Sequence, residues 1–172
     1  MNNTNLRLAA RKQPASAHHL MKTRGAFSDS GIAAVAEPAM AGCAAAPTPA
    51  AVHAAILRGL LPADVKRLAG LLGLSADDLA GRCGLSRSTF NRRLQQKRTR
   101  LTGIESDTLA RYASLLGKAR EVFAGDEGAA RTRRHTSQPG LGSQVPLEFA
   151  RTTVGYREVE KLLTRIDLGV YA

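Results

Sequence analysis

An all-α fold is predicted for this 172-residue chain by three observations. Apolar residues recur three and four apart, which places them on one face of a helix. Such stretches open on a serine, threonine or proline suited to a helix start, and several close on a glycine. With no Trp and aromatic residues at 4%, any core is small and rests on Leu, Val, Ile and Ala. Three segments are expected: a disordered basic arm over 1–51, a helix-turn-helix unit with dimerisation helices over 52–124, and a small helical unit over 125–172.

The arm is rich in Ala, and Pro14, Pro38, Pro47 and Pro49 interrupt it. Its sparse large apolar residues offer little burial to offset ordering entropy. Arg7, Arg11, Lys12, Lys22 and Arg24 face only Asp29 and Glu37. Three readings of it compete: a tail for DNA backbone, an organellar transit peptide, and translated sequence ahead of the true start codon. The bacterial character of the downstream motifs ranks the transit peptide last. His18-His19 has no companion ligands and reads as a solvated dipeptide.

Ordered structure is expected from Pro49 to Gly59, with Val52, Ala55 and Ile56 on one face. Pro62 starts the next helix, Val65, Leu68, Ala69 and Leu72 form its stripe, and Gly73 stops it. Ser75-Ala76-Asp77-Asp78 then caps a short helix whose inner face is Leu79, Ala80 and Cys83. Gly84 makes the turn, Leu85 fills the corner, and Ser86 caps a second helix with Phe90 and Leu94 on its buried side. Thr102-Gly103-Ile104-Glu105 opens the longest helix, striped by Leu109, Tyr112, Leu116, Ala119 and Phe123. That stripe serves as core, dimer seam, or some of both. Residues 125–142 read as a loop-rich connector with one short helix at Glu127 to Arg133. A turn follows at Pro146 to Ala150. The last helix runs from about Val154 to Leu168 on Tyr156, Val159, Leu162, Leu163 and Ile166, capped by Gly169. Val170 and Tyr171 either fold back or are kept for a partner.

The pair of helices in 75–96 has the pattern of a DNA-binding helix-turn-helix, whose second helix enters a major groove about 12 Å wide. The candidate DNA contacts are Arg87, Ser88, Thr89, Asn91, Arg92, Arg93, Gln95, Gln96, Lys97 and Arg98. Arg92 and Arg93 are expected on phosphates, Asn91 and Gln95 on base edges. No acidic residue lies between Asp78 and Glu105, an interval that also holds Arg82 and Arg100. An ordinary helical hairpin with a solvated basic face is the bland alternative. The turn glycine, inner apolar set and one-signed outer face together favour DNA.

The net charge of +11, from 25 basic and 14 acidic residues, suits a phosphate-rich partner or an anionic membrane surface. No apolar run approaches the roughly 20 residues needed to span a bilayer. Cys43 and Cys83 have no neighbours at metal-ligand spacing, so neither a metal site nor a disulfide framework is expected. A buried free thiol at Cys83 suits a reducing cytoplasm. Scattered histidines and the absence of a phosphate loop or nucleophile arrangement argue against an enzyme, and no cofactor is expected. Gly142-Ser143 reads as a turn.

The last third resembles the toxin-binding domain of Xre/MbcA/ParS antitoxins, the antitoxin halves of bacterial RES–Xre pairs. The matching stretches are Gly117 to Ala130, Pro139 to Ala172 and, upstream, Gly59 to Ala80. The terminal pattern is carried by Gly155, Val159-Glu160, Leu162-Leu163, Arg165-Ile166 and Gly169-Val170. Where relatives place a Trp-Leu and a proline after the paired alanines, this chain has Arg131 to Ser137. Their loop Gly-Gly is here Gly142-Ser143. The resemblance implies a cytoplasmic all-α homodimer that represses its own operon on double-stranded operator DNA. It implies a RES-domain toxin partner, an NAD-consuming enzyme whose active site the antitoxin obstructs. Carried over, Gly169, Val170, Tyr171 and Ala172 become the plug, with Arg157, Glu160 and Arg165 as flanking contacts. The competing reading is a stand-alone helix-turn-helix regulator whose last domain serves dimerisation or ligand sensing.

Overall fold

The computed structural model describes residues 48–96 and 98–170. The arm up to Pro47, with Cys43 and His18-His19, lies outside the described residues, as do Lys97, Tyr171 and Ala172. Within them the chain is helical: α1 (Pro49–Arg58), α2 (Pro62–Leu72), α3 (Ala76–Arg82), α4 (Arg87–Gln95), α5 (Gly103–Val122), α6 (Glu127–His135), a 3-10 turn at Pro139–Leu141, α7 (Pro146–Phe149) and α8 (Thr153–Asp167). The all-α fold expected from periodicity is the fold found.

The start signals act through the predicted side chains. The Ser75 and Ser86 hydroxyls accept from the amides of Asp78 and Thr89, at 3.1 and 3.2 Å. At α5 the exchange is reciprocal. The Thr102 hydroxyl accepts from the Glu105 amide, and the Glu105 carboxylate accepts from the Thr102 amide at 2.7 Å. Each satisfies a donor that the first helical turn leaves without a partner.

Helix α5 is the centre of the described fold, packed against α1, α2, α6 and α8. Leu109, Tyr112, Leu116 and Ala119 are all at most 1% exposed. Those four positions are internal core, which corrects the seam reading for them; Phe123, the last of the stripe, is half-buried. The core is contiguous from Ala55 through Leu116 to Leu163, so α5 belongs to both the first helical unit and the second.

The connector holds its expected helix, which starts at Glu127 and runs two residues past Arg133 to His135, followed by the 3-10 turn. Its basic residues look solvated in the sequence, but several are held in the fold. Arg134 is buried, 4% exposed in its side chain, and donates to Glu127 at 2.8 Å. The same carboxylate accepts from Arg120 of α5 at 2.8 Å. His135 Nε2 lies 2.7 Å from the Leu72 carbonyl oxygen, and Arg131 lies over Gly73. Those contacts hold α6 against the end of α2. Gly142 and Ser143, both at positive φ, form the expected turn.

Candidate nucleic-acid interface and partner-binding end

Helices α3 and α4 meet at a corner closed by backbone hydrogen bonds. The Leu85 amide donates to Ala80 O at 2.9 Å and the Gly84 amide to Gly81 O at 3.0 Å, with Gly84 at φ 84°. This left-handed closure reverses the chain in two residues, at a backbone angle that side chains with a Cβ rarely adopt. Leu79, Ala80, Cys83, Leu85 and Phe90 fill the space between the helices. Burial pushes the Cys83 thiol up to about 12, so it stays a neutral core group.

The outer side of α4 is polar. Ser88, Asn91, Arg92, Gln95 and Gln96 are exposed, as are Arg87 and, beyond the helix, Arg98; Thr89 is half-buried. Two expectations change. Leu94, expected beside Phe90, is 37% exposed. Arg93 takes the inward position at that turn and donates to Glu105 at 2.7 Å. Arg93 thus joins α4 to α5. Arg87 also has a partner, Asp77 at 2.9 Å, although its side chain remains 80% exposed. Arg100 donates to the Gly59 carbonyl.

Arg82 was read as one more cation of the basic interval, and the structure overturns this. Its side chain is 5% exposed. It donates to the Leu147 carbonyl at 2.6 Å and to the Glu148 carboxylate, both in α7. Its guanidinium carbon lies 5.9 Å from the centre of the Tyr112 ring. Arg82 is therefore a clasp from the first helix of the turn motif to the last third of the chain. Only tertiary structure supplies those partners, Leu147 and Glu148 from more than sixty residues away, so the local sequence carried no signal for it.

The Arg93–Glu105 pair makes a pH-dependent contribution. Burial alone would raise the Glu105 carboxyl, but hydrogen bonds from the Thr102 amide and Arg93 outweigh it and hold the group below its ordinary 4.5. A carboxyl held low in the fold stabilises above its unfolded value, and that contribution is lost as pH falls through the folded one. Glu105→Gln should therefore cost about 1–2 kcal/mol at neutral pH and show a shallower loss of stability on acidification below pH 4.5 than the parent. Urea unfolding at several pH values measures both; parallel acid profiles would remove the pair from this role.

At the other end, α8 turns Val159, Leu162 and Leu163 into the core, with Tyr156 and Ile166 half-buried beside them. Arg157 is exposed; Glu160 and Arg165 are half-buried on the flanks, and Glu160 accepts from the Tyr156 hydroxyl at 3.4 Å. The helix closes with Gly169 at φ 69°. The Val170 amide donates to Arg165 O at 2.8 Å and the Gly169 amide to Ile166 O at 3.0 Å. This closure sets the direction in which the chain leaves. Val170 does not fold back, since it is 55% exposed. Leu168, 70% exposed, was not singled out from the sequence. Its signal was there: it lies nine residues after Val159, about half a turn out of the buried stripe.

Among the described residues, no group of His, Cys, Asp and Glu could hold a metal ion, and no helix is long and apolar enough to cross a membrane.

Comparison with known proteins matches two successive stretches of the chain. The family model described as "Antitoxin Xre-like helix-turn-helix domain" matches residues 51–114, and "Antitoxin Xre/MbcA/ParS C-terminal toxin-binding domain" matches residues 118–169. The chain is similar to the protein named "Antitoxin Xre" of Yersinia enterocolitica serotype O:8 / biotype 1B (strain NCTC 13174 / 8081). The two are 35% identical over 85 residues, covering 48% of this chain and 57% of that protein. The chain thus spans a little over half the length of that relative.

Proposed function

Because the chain belongs to the Xre-type antitoxins, which join an Xre-like helix-turn-helix to an Xre/MbcA/ParS toxin-binding domain, we propose that it neutralises a RES-domain, NAD-degrading toxin and represses its own operon. The toxin is held by the end of α8, where Gly169, Val170, Tyr171 and Ala172 obstruct the active site and Arg157, Glu160 and Arg165 flank it. Operator DNA is held by α4 and the basic segment after it, including Lys97 and Arg98. The observation that carries the reading is the pairing of two unlike surfaces: a polar, arginine-bearing face on α4, and an α8 end whose Leu168 and Val170 are uncovered. A cytoplasmic setting fits the buried free thiol of Cys83. A homodimer fits the operator role, because helix-turn-helix proteins commonly read two half-sites. Leu57 and Ile104, 69% and 83% exposed, are apolar side chains available to such a contact.

Separable variants test this. Deleting residues 170–172 should abolish rescue of growth in cells expressing the toxin, while the purified protein still shifts its upstream DNA. Asn91→Ala with Gln95→Ala should do the reverse. A tail deletion that rescues fully would favour the stand-alone regulator, with the last domain as a structural element.

A further inference from the structure

We propose that Arg131, on α6 within the toxin-binding stretch, holds a backbone phosphate of the DNA that α3 and α4 engage. This rests on the operator-binding reading of the turn motif, and it adds a contact from outside that motif.

Helix α6 reaches the turn motif through its own side chains. His135 Nε2 meets the Leu72 carbonyl oxygen at 2.7 Å, and Arg131 covers Gly73, where α2 ends. A Cβ built on Gly73 would stand 3.1–3.2 Å from Nη2, Cζ and Nε of Arg131. Three nearly equal distances mean that the guanidinium lies with its flat face on the Gly73 backbone. Arg131 is exposed, and no hydrogen bond or ion pair among the described residues occupies its N–H groups. The plane of the guanidinium is thus fixed while its donor edge stays open. That is the arrangement that grips a phosphate through two parallel hydrogen bonds.

Gly73 lies two residues before Ser75, the N-cap of α3. Asp77, in the first turn of α3, pairs at 2.9 Å with Arg87, the first residue of α4. The starts of α3 and α4 are therefore side by side, and Arg131 stands next to the first of them. When the second helix of a turn motif enters the major groove, the first crosses the sugar-phosphate backbone. The first turn of α3 carries Asp77 and Asp78 and no cation, so alone it would repel a phosphate. Arg87 pairs with Asp77, and Arg131 brings in the second positive charge from more than fifty residues along the chain. A cation at the end of α2 also suits the helix dipole. That intramolecular role alone would show as lost stability with DNA binding unchanged.

The test is a set of salt titrations on duplex DNA taken from upstream of the reading frame, using the full chain, Arg131→Ala, Arg131→Lys and Lys161→Ala. Arg131→Ala should weaken binding and lower the salt slope by about one, the mark of one lost phosphate contact. Its deficit should therefore shrink about fourfold as salt rises from about 50 to about 200 mM. Arg131→Lys keeps the charge and should keep the parent slope. Lys161→Ala removes one exposed cation from α8 and should also keep it. Arg131→Ala with the parent slope overturns the proposal, and a lower melting temperature in that variant would then leave Arg131 as a cap on α2. An equal fall in slope for Lys161→Ala overturns it too, since net charge would explain both. A parent that binds no duplex overturns the operator-binding reading and this contact with it.

Discussion

Gly155→Ala should destabilise the protein by about 3 kcal/mol or more, the upper end for forced overpacking. Gly155 lies in the first turn of α8 and is buried where α8 crosses the end of α7. A Cβ there would overlap the Phe149 carbonyl oxygen and press on the carbonyl carbon at 2.7 Å. These are backbone atoms, so no rotamer change relieves the overlap. Either α7 or α8 must move, and with it the contacts of Leu147 and Val159. This is the physical content of the glycine that opens the terminal family pattern: it is there for close approach, since its φ is not positive. Thermal unfolding should fall by about 10 °C. Gly70→Ala is the natural control, since nothing lies within 4 Å of its Cβ position in the body of α2. That change should be stabilising by about 0.5–1 kcal/mol. Equal melting of Gly155→Ala and the parent would mean that the α7–α8 corner is not as tight as described.

The second large effect is expected at Arg82. Arg82→Met should cost about 2–3 kcal/mol. It removes two charge-assisted hydrogen bonds and the guanidinium stacked on Tyr112, while Glu148, 45% exposed, can return to water. Because one partner rehydrates, the loss stays below that of stranding a buried charge. Glu148→Gln should cost less, about 1 kcal/mol, since the Leu147 carbonyl and Tyr112 still hold the guanidinium. Arg82 touches α7 rather than the outer side of α4, so the salt dependence of DNA binding should be unchanged in Arg82→Met. Chemical denaturation and a salt titration read these two quantities independently. A lowered salt slope with unchanged stability would return Arg82 to the DNA face.

These two residues also mark where the sequence was legible and where it was not. The caps at Ser75, Ser86 and Thr102, the turn at Gly84 and the stripes of α2, α5 and α8 follow from groups within a few residues of one another. Each appears as expected. Gly155 was visible as part of a pattern, but its reason is a contact with another helix. Arg82, Arg131 and His135 carry charge or polarity that looks solvated until their partners arrive from far along the chain, and Arg134 is buried with a partner two turns back in its own helix. The same holds for the face of α4. Residue types named the DNA side, but only the pairing of Arg93 with Glu105 and of Arg87 with Asp77 separates tied cations from the uncommitted Arg92. Whether the α5 stripe was core or seam depended on how many elements surround it. No periodicity count contains that.

The proposed capture of a toxin by the end of α8 is put to the test by co-expression with the adjacent reading frame, followed by size-exclusion chromatography. One co-eluting complex and normal growth of the cells are expected, with loss of both when residues 170–172 are removed. Separate elution of the two proteins, with growth arrested despite full co-expression, would contradict it.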